Sequence, residues 1–345
     1  MKQIMATALF WDVVELKMNV FMCLREEECD ADLLRCARVS RTWMDLALDA
    51  LWLGYPQTVC ENNKIRTRAI ALSPRARRQN YASRLGALDF TDFGGVVVHS
   101  MFDKLAFPRL KEVILHHIDN QTRRKVQEFR LSKYLRSSLQ SLKLFDETYG
   151  PMEDELWWLT VSFLEDIAKI CPNLEELSLR IMGTTVKSAD LARFFQNIRP
   201  RAVSLDFGPL GRGMLTCDLL ANLSHGGYLQ TLTLTGGNAE QPAIDVVQLQ
   251  LFLDSTESPF PHLDSLTLHV QAQAVSLVPQ CFPAVTRLRL NVESYGRDET
   301  LLEPIANMSQ LQNLEIVGHG MSVHMTLNYR QELLLLSVLL LGLNH

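Results

Sequence analysis

The sequence lacks the paired cysteines that mark a metal site or a disulfide framework. Its seven cysteines, Cys23, Cys29, Cys36, Cys60, Cys171, Cys217 and Cys281, are odd in number, and none stands in a Cys-x-x-Cys pair. They lie among apolar neighbours, as reduced core thiols do in a cytoplasmic or nuclear protein. The spacing of Cys23, Cys29 and Cys36 misses the short ligand pairs of zinc sites, so no metal is expected. A surplus of charge is missing too. The chain has 34 Lys+Arg against 39 Asp+Glu, a net charge of −5, which gives no general case for nucleic acid or an anionic membrane. Long apolar runs are also missing. The N-terminal MKQIMATALFWDVVEL has no signal-peptide core, which makes the Asn-x-Ser/Thr matches at Asn120, Asn222 and Asn307 chance occurrences. The C-terminal run Leu333–Leu343 spans 11 residues, against about 20 for a membrane span, and reads as a buried helix.

Catalytic patterns are equally scarce. Gly208-Pro-Leu-Gly211-Arg-Gly213 is rich in glycine but lacks the Lys-Ser/Thr of a phosphate-binding loop, so it reads as a turn. His116-His117 and His319…His324 have no carboxylate at metal-site spacing, and nothing resembles a nucleophile elbow. No catalytic residue and no cofactor is expected, and the chain does not read as an enzyme.

Charge of one sign collects in one place. Lys64, Arg66, Arg68, Arg75, Arg77, Arg78 and Arg84 form a run without an acid. It reads as a solvated basic linker over 61–84, or the solvated faces of helices within it, with a phosphate-binding patch as the alternative.

From residue 85 the chain repeats L-x-x-L-x-L, with other apolar residues allowed at the three fixed places. Nine units start at Leu85, Leu110, Leu139, Leu174, Ala202, Leu229, Leu263, Val285 and Leu311. Two places before each start stands Pro, Ser or Gly, suited to a turn from helix into strand. The residues between the fixed places are nearly all polar, the period-two alternation of a strand with one face in the core. Helical segments lie between: Phe163, Ile167 and Ile170 share a face, as do Val247 and Leu251 with Ile244. Two long steps hold insertions. Residues 145–160 are acidic and end near Trp157-Trp158, which either pack the next helix or contact a partner. Residues 235–262 read as a longer helix with a Ser/Pro turn. The unit length and pattern resemble a leucine-rich repeat. The fold class expected is therefore α/β: a curved solenoid over 85–345, parallel strands inside and helices outside.

Ahead of the repeats, Cys36, Val39, Trp43, Ala47 and Leu51 recur at three and four, as on one helix face. Leu33, Leu34, Ala37, Leu46 and Leu48 add further apolar faces, so the segment needs a cover. Residues 12–52 resemble the F-box. The resemblance rests on Glu15-Leu16, Val20-Phe21-x-x-Leu24, Asp32-Leu33-Leu34-x-Cys36-x-x-Val39-Ser40-x-x-Trp43 and Ala47-x-x-x-Leu51-Trp52. An F-box opens with Leu-Pro; here Val13-Val14 stand in that place. Residues 80–90, with Tyr81-Ala82-x-Arg84, are similar to the segment that follows the F-box in many fungal proteins. The domains expected are an F-box module over 1–60, the linker and the repeats.

That resemblance implies a substrate-recognition subunit of a Skp/cullin/F-box ubiquitin ligase, cytoplasmic or nuclear. The module would dock a Skp-type adaptor, and through it a cullin, by Leu16, Phe21, Leu24, Leu33, Leu34, Val39 and Trp43. An unknown target protein would lie on the concave strand face. There the register places Glu112, His116, Lys143, Glu176, Arg180, Arg287, Arg289 and Glu315, with Arg287 and Arg289 suited to a carboxylate or phosphate. The rival readings are an interaction scaffold without a role in ubiquitination and a solenoid regulator of an enzyme.

Overall fold

Capping and a proline set the first helices. A computed structural model describes residues 14–326 apart from 28, 54–59, 92–98, 116–130, 145–158, 182–185, 209–213, 226, 239–240, 243, 245, 258, 294–302 and 319–320. The chain divides into two compact units, 1–148 and 149–345.

The first unit opens with α1 (Val14–Glu26), α2 (Asp30–Cys36) and α3 (Arg41–Trp52). Ser40 caps α3: its Oγ accepts the Trp43 backbone N–H at 3.2 Å, satisfying a donor that the helix start leaves orphaned. This cap corrects the single stripe read through Cys36, Val39, Trp43, Ala47 and Leu51. The chain turns between α2 and α3, and Val39 falls in the turn, outside both helices. Phe21, Leu33, Ala47 and Ala50 form the core of the three helices, with Trp43 edge-on to Phe21 at 5.4 Å.

The basic stretch is helical. It forms α4 (Cys60–Leu72) and α5 (Arg75–Ala82), broken at Ser73-Pro74 because proline disfavours helical backbone in the residue before it. Strands β1 (Ala87–Asp89), β2 (Glu112–Leu115) and β3 (Ser141–Leu144) follow in parallel, with Leu88, Val113 and Leu142 in register. Behind them Phe90, Phe102, Phe107 and Tyr134 are buried together with His99. The His99 Nδ1 lies 2.9 Å from the Tyr134 hydroxyl, and burial pushes the imidazole pKa down to about 3.

The joint between α3 and the first repeat is tight. Trp52 stacks on Tyr81 at 4.7 Å. Arg84 reaches back to Asp45 at 2.8 Å and Asp49 at 2.6 Å, and Arg109 adds a second bond to Asp49 at 3.0 Å. A Cβ on Gly86 would stand 1.9 Å from the Leu53 carbonyl oxygen, so only glycine fits there. These contacts account for Tyr81-Ala82-x-Arg84 physically: the stack, a buried small residue and the clamp.

The second unit contains α6 (Val161–Ile170), β4 (Glu176–Arg180), α7 (Ser188–Asn197), β5 (Ala202–Asp206), α8 (Cys217–Ser224), β6 (Thr231–Thr235), α9 (Val246–Ser255), β7 (Ser265–Gln271), β8 (Arg287–Glu293), β9 (Asn313–Gly318) and β10 (Met321–Thr326). Strands β4 to β9 are parallel and β10 pairs antiparallel with β9. Thr160 and Thr216 cap α6 and α8 as Ser40 caps α3. In both units helix and parallel strand alternate, the α/β architecture of leucine-rich repeats.

Of the 27 apolar places read from the repeat, all but Ala202 are buried. That exception is a frame error in the fifth unit. Leu177 pairs with Val203 and Val203 with Leu232, so the unit starts at Pro200. The turn hydrogen bonds agree. In each neighbouring unit the carbonyl one place after the start accepts two N–H groups from the unit that follows. Glu175 accepts from Arg201 and Ala202 at 2.8 and 3.0 Å, and Arg201 accepts from Gln230 and Thr231 at 2.8 and 3.0 Å. A two-residue slip keeps every side chain on its own face, so alternation alone could not expose it.

Two other readings change. In α9 Leu249 and Phe252 are buried, while Val247 and Leu251 are exposed. The helix is apolar on both sides, and spacing alone picked the wrong one. The 235–262 insertion is more than a helix: Gly237–Asn238 and Gln241–Pro242 form a short antiparallel ribbon before α9. The Trp157-Trp158 segment, Gly211, Gly213 and the run Leu333–Leu343 lie outside the described residues.

Candidate protein-interaction surfaces

Two surfaces, one in each unit, hold most of the residues singled out from the sequence. On the three-helix module those residues divide by burial. Phe21 and Leu33 are fully buried in its core, so they shape the surface without forming it. Leu16, Leu24 and Trp43 are half-buried. Leu34 is 46% exposed and Val39 63% exposed. Val14, at the start of α1, and Met44, on α3, which the sequence reading missed, are exposed as well. The signal for Met44 was its place off the Trp43–Ala47–Leu51 face. Leaving Leu34, Val39 and Met44 in water is unfavourable by roughly 1.5–3 kcal/mol for each side chain that a partner would fully cover. A module of this size, about 40 residues, is at the lower limit for folding alone. Its interior closes at α3 against Tyr81 and Gly86, and the α2–α3 turn remains open.

On the second unit the polar strand face is ordered in rows by the register. The middle row runs Ser178, Ser204, Thr233, Thr267, Arg289, Glu315. The row beside it runs Glu176, Ala202, Thr231, Ser265, Arg287, Asn313. Hydroxyls therefore fill the centre, and charges stand at both ends. Those charges answer one another. Arg180 lies 3.5 Å from Asp206, Arg289 lies 3.5 Å from Glu315, and Arg287 lies 2.5 Å from Asp264. Hydrogen bonds from Thr286 and Arg287 hold the Asp264 carboxyl below its usual range. His269 also turns inward, its Nδ1 at 2.6 Å from the Gly236 carbonyl. Arg287 and Arg289 are half-exposed but already engage carboxylates, so a target carboxylate would have to compete for them. The face offers hydroxyl donors and acceptors with little net field, a surface for an extended polar segment.

The candidates in the first unit differ. Glu112 is buried on β2, and the Lys143 ammonium lies 3.7 Å from its carboxylate. That corrects its assignment as an exposed target contact: its carboxylate is buried and faces a lysine of the neighbouring strand. His116 lies outside the described residues. Among the described residues no group of three or more His, Cys, Asp or Glu is arranged to hold a metal ion. No helix among them is long and apolar enough to cross a membrane.

Comparison with known proteins gives one family match and one structural likeness. Residues 14–53 match the F-box-like family. No curated protein matches the chain significantly. Among solved structures, the leucine-rich repeat-containing protein LegL7 from Legionella pneumophila is similar at 13% identity. The alignment covers 83% of this chain and 96% of that one, with a TM-score of 0.40. An F-box-like segment thus precedes the alternating helices and parallel strands.

Proposed function

We propose that this F-box leucine-rich repeat protein is the substrate-recognition subunit of a Skp/cullin/F-box ubiquitin ligase, working in the cytoplasm or nucleus. The observation that carries the reading is the coincidence of the F-box-like match with exposed apolar side chains, Leu34 on α2, Val39 in the α2–α3 turn and Met44 on α3, within the matched segment. A Skp-type adaptor would cover that surface and connect the chain to a cullin. The hydroxyl-centred strand face would hold the target. The chain then acts by proximity. It holds a target lysine beside an activated ubiquitin carried by another subunit, which raises the effective concentration of the two reactants.

The clamp at α3 has a part in this. Asp45 and Asp49 tie the module to the first repeat through Arg84 and Arg109. A rigid joint of this kind lowers the conformational entropy lost when adaptor and target are held at once.

Co-purification of the full chain with a Skp-type adaptor tests the reading. Wild type is expected to co-elute, and Leu34→Asp with Val39→Asp to lose the adaptor at an unchanged melting temperature. Failure of wild type to bind overturns the proposal. Adaptor binding without cullin recruitment or ubiquitin transfer to a captured target would favour the scaffold instead.

A further inference from the structure

One helix of the second unit differs from its neighbours on the side that faces water. On α6 the exposed side chains are Ser162, Glu165 and Lys169, and on α8 Asp218. No large apolar side chain is exposed on α6, α7 or α8. On α9 Val247 is 58% exposed and Leu251 47% exposed. Gln250 and Asp254 are exposed with them. Val247, Gln250, Leu251 and Asp254 stand at i, i+3, i+4 and i+7, which is one face of a helix. Leu249 and Phe252, on the other side, are buried and anchor the helix, so Val247 and Leu251 are not needed to hold it in place.

The charge around that face has one sign. Six acids and no Lys or Arg occur from Gly213 to Thr286. Of the acids, Asp264 is engaged by Arg287, and Glu240 and Asp245 lie outside the described residues. Asp254 accepts from the Gln250 amide at 3.0 Å, a neutral partner that leaves its charge in place. Among the described residues no base lies within ion-pair distance of Asp218, Asp254 or Glu257. The last turn of α9 has no basic residue, and there the helix dipole adds to the negative charge of Asp254. Glu257 follows two residues after the helix and is exposed. The Gln248 Oε1 accepts the Cys217 N–H at 3.0 Å, which sets the start of α8, with the exposed Asp218, beside α9. Lys187 and Arg193 belong to α7, which packs on α8. The histidines of the span lie off α9: His225 caps α8, His262 precedes β7 and His269 is on β7. We propose that the outer face of α9, through Val247, Leu251 and Asp254, with Glu257 beyond its end, is a docking surface for a basic protein segment that carries aliphatic side chains. The aliphatic groups cover Val247 and Leu251, and Lys or Arg of the segment offsets acids at a helix end that has no base of its own. Nucleic acid and an anionic membrane carry the sign of charge that this face repels.

The surface shares no residue with the adaptor and target faces, so its test does not depend on them. The full chain, without adaptor, is titrated into a fluorescein-labelled peptide, Leu-Lys-Lys-Leu-Leu-Lys-Lys-Leu, and binding is followed by fluorescence anisotropy. Saturable, salt-sensitive binding is expected. Val247→Ala with Leu251→Ala should weaken it about tenfold, and Asp254→Asn with Glu257→Gln severalfold. All four side chains are exposed, so the melting temperature should hold in the first variant. In the second it should hold or rise, because an acid is removed from a helix C-terminus. Absence of saturable binding by wild type overturns the proposal, as does unchanged affinity in either variant. So does equal binding of an all-Lys peptide of the same length, which would reduce the face to a general counter-charge.

Discussion

The repeats and the three-helix module use the same apolar residue types to opposite ends. In the repeats, apolar places recur every second residue and are buried nearly without exception. In the module they recur at helical spacing, and neighbours in sequence part company: Leu33 is fully buried and Leu34 is 46% exposed. Within each unit the repeat strands pair in parallel, and their apolar inner faces are buried beneath the segments that connect them. The short helices of the module have few neighbours, and part of their apolar surface is left for something outside it. Burial in the repeats therefore reports on stability, whereas the exposed residues of the module are the ones the proposed adaptor contact would cover.

The joint between the two regions is where the contrast breaks most easily. Gly86→Val would drive a side chain into the Leu53 carbonyl. We expect a loss of about 4 kcal/mol or more in urea unfolding, because backbone rather than a flexible side chain must yield. Next comes the contrast itself. Leu205→Ala empties a fully buried repeat position and should lose roughly 3 kcal/mol. Val39→Ala on the module should change stability by no more than about 0.5 kcal/mol. Comparable losses at both positions would show that Val39 is part of a core.

A smaller effect separates the regions by pH. The folded pKa of His99, about 3, lies below its unfolded value near 6.5. The unfolded chain therefore binds the proton first, and stability is lost as pH falls below 6.5. Between pH 6.5 and 5 the loss should reach roughly 2 kcal/mol. His99→Gln should flatten this slope in denaturant titrations at successive pH values. An unaltered slope would assign the acid sensitivity to other groups.

Much of the architecture was legible in residue order because it rests on local periodicity. Alternation gave away the strands, and proline, serine and glycine marked the turns into them. The F-box resemblance over 12–52 was legible from spacing, and the matched segment, 14–53, is nearly the same stretch. Less of the interaction surfaces could be read. Glu112 looked exposed by register and is buried, and Arg287 and Arg289 looked available and face Asp264 and Glu315. Register assigns a face, whereas burial and pairing depend on the lengths of side chains reaching across from neighbouring strands.

The sequence by itself determined that apolar residues alternate from Leu85 onward, that the chain has no general charge surplus, and that an F-box-like pattern stands ahead of the repeats. Tertiary structure alone decided three further matters. It set the fifth repeat at Pro200, because a two-residue slip leaves both faces intact and only strand pairing can register it. It parted Leu33 from Leu34, because which side of a helix is inside depends on what packs against it. It also divided the basic run, sending Arg66 and Arg84 to aspartates more than thirty residues away and leaving Arg75 and Arg77 outside. Ion pairs form between groups brought close in space, and residue order alone does not encode that distance.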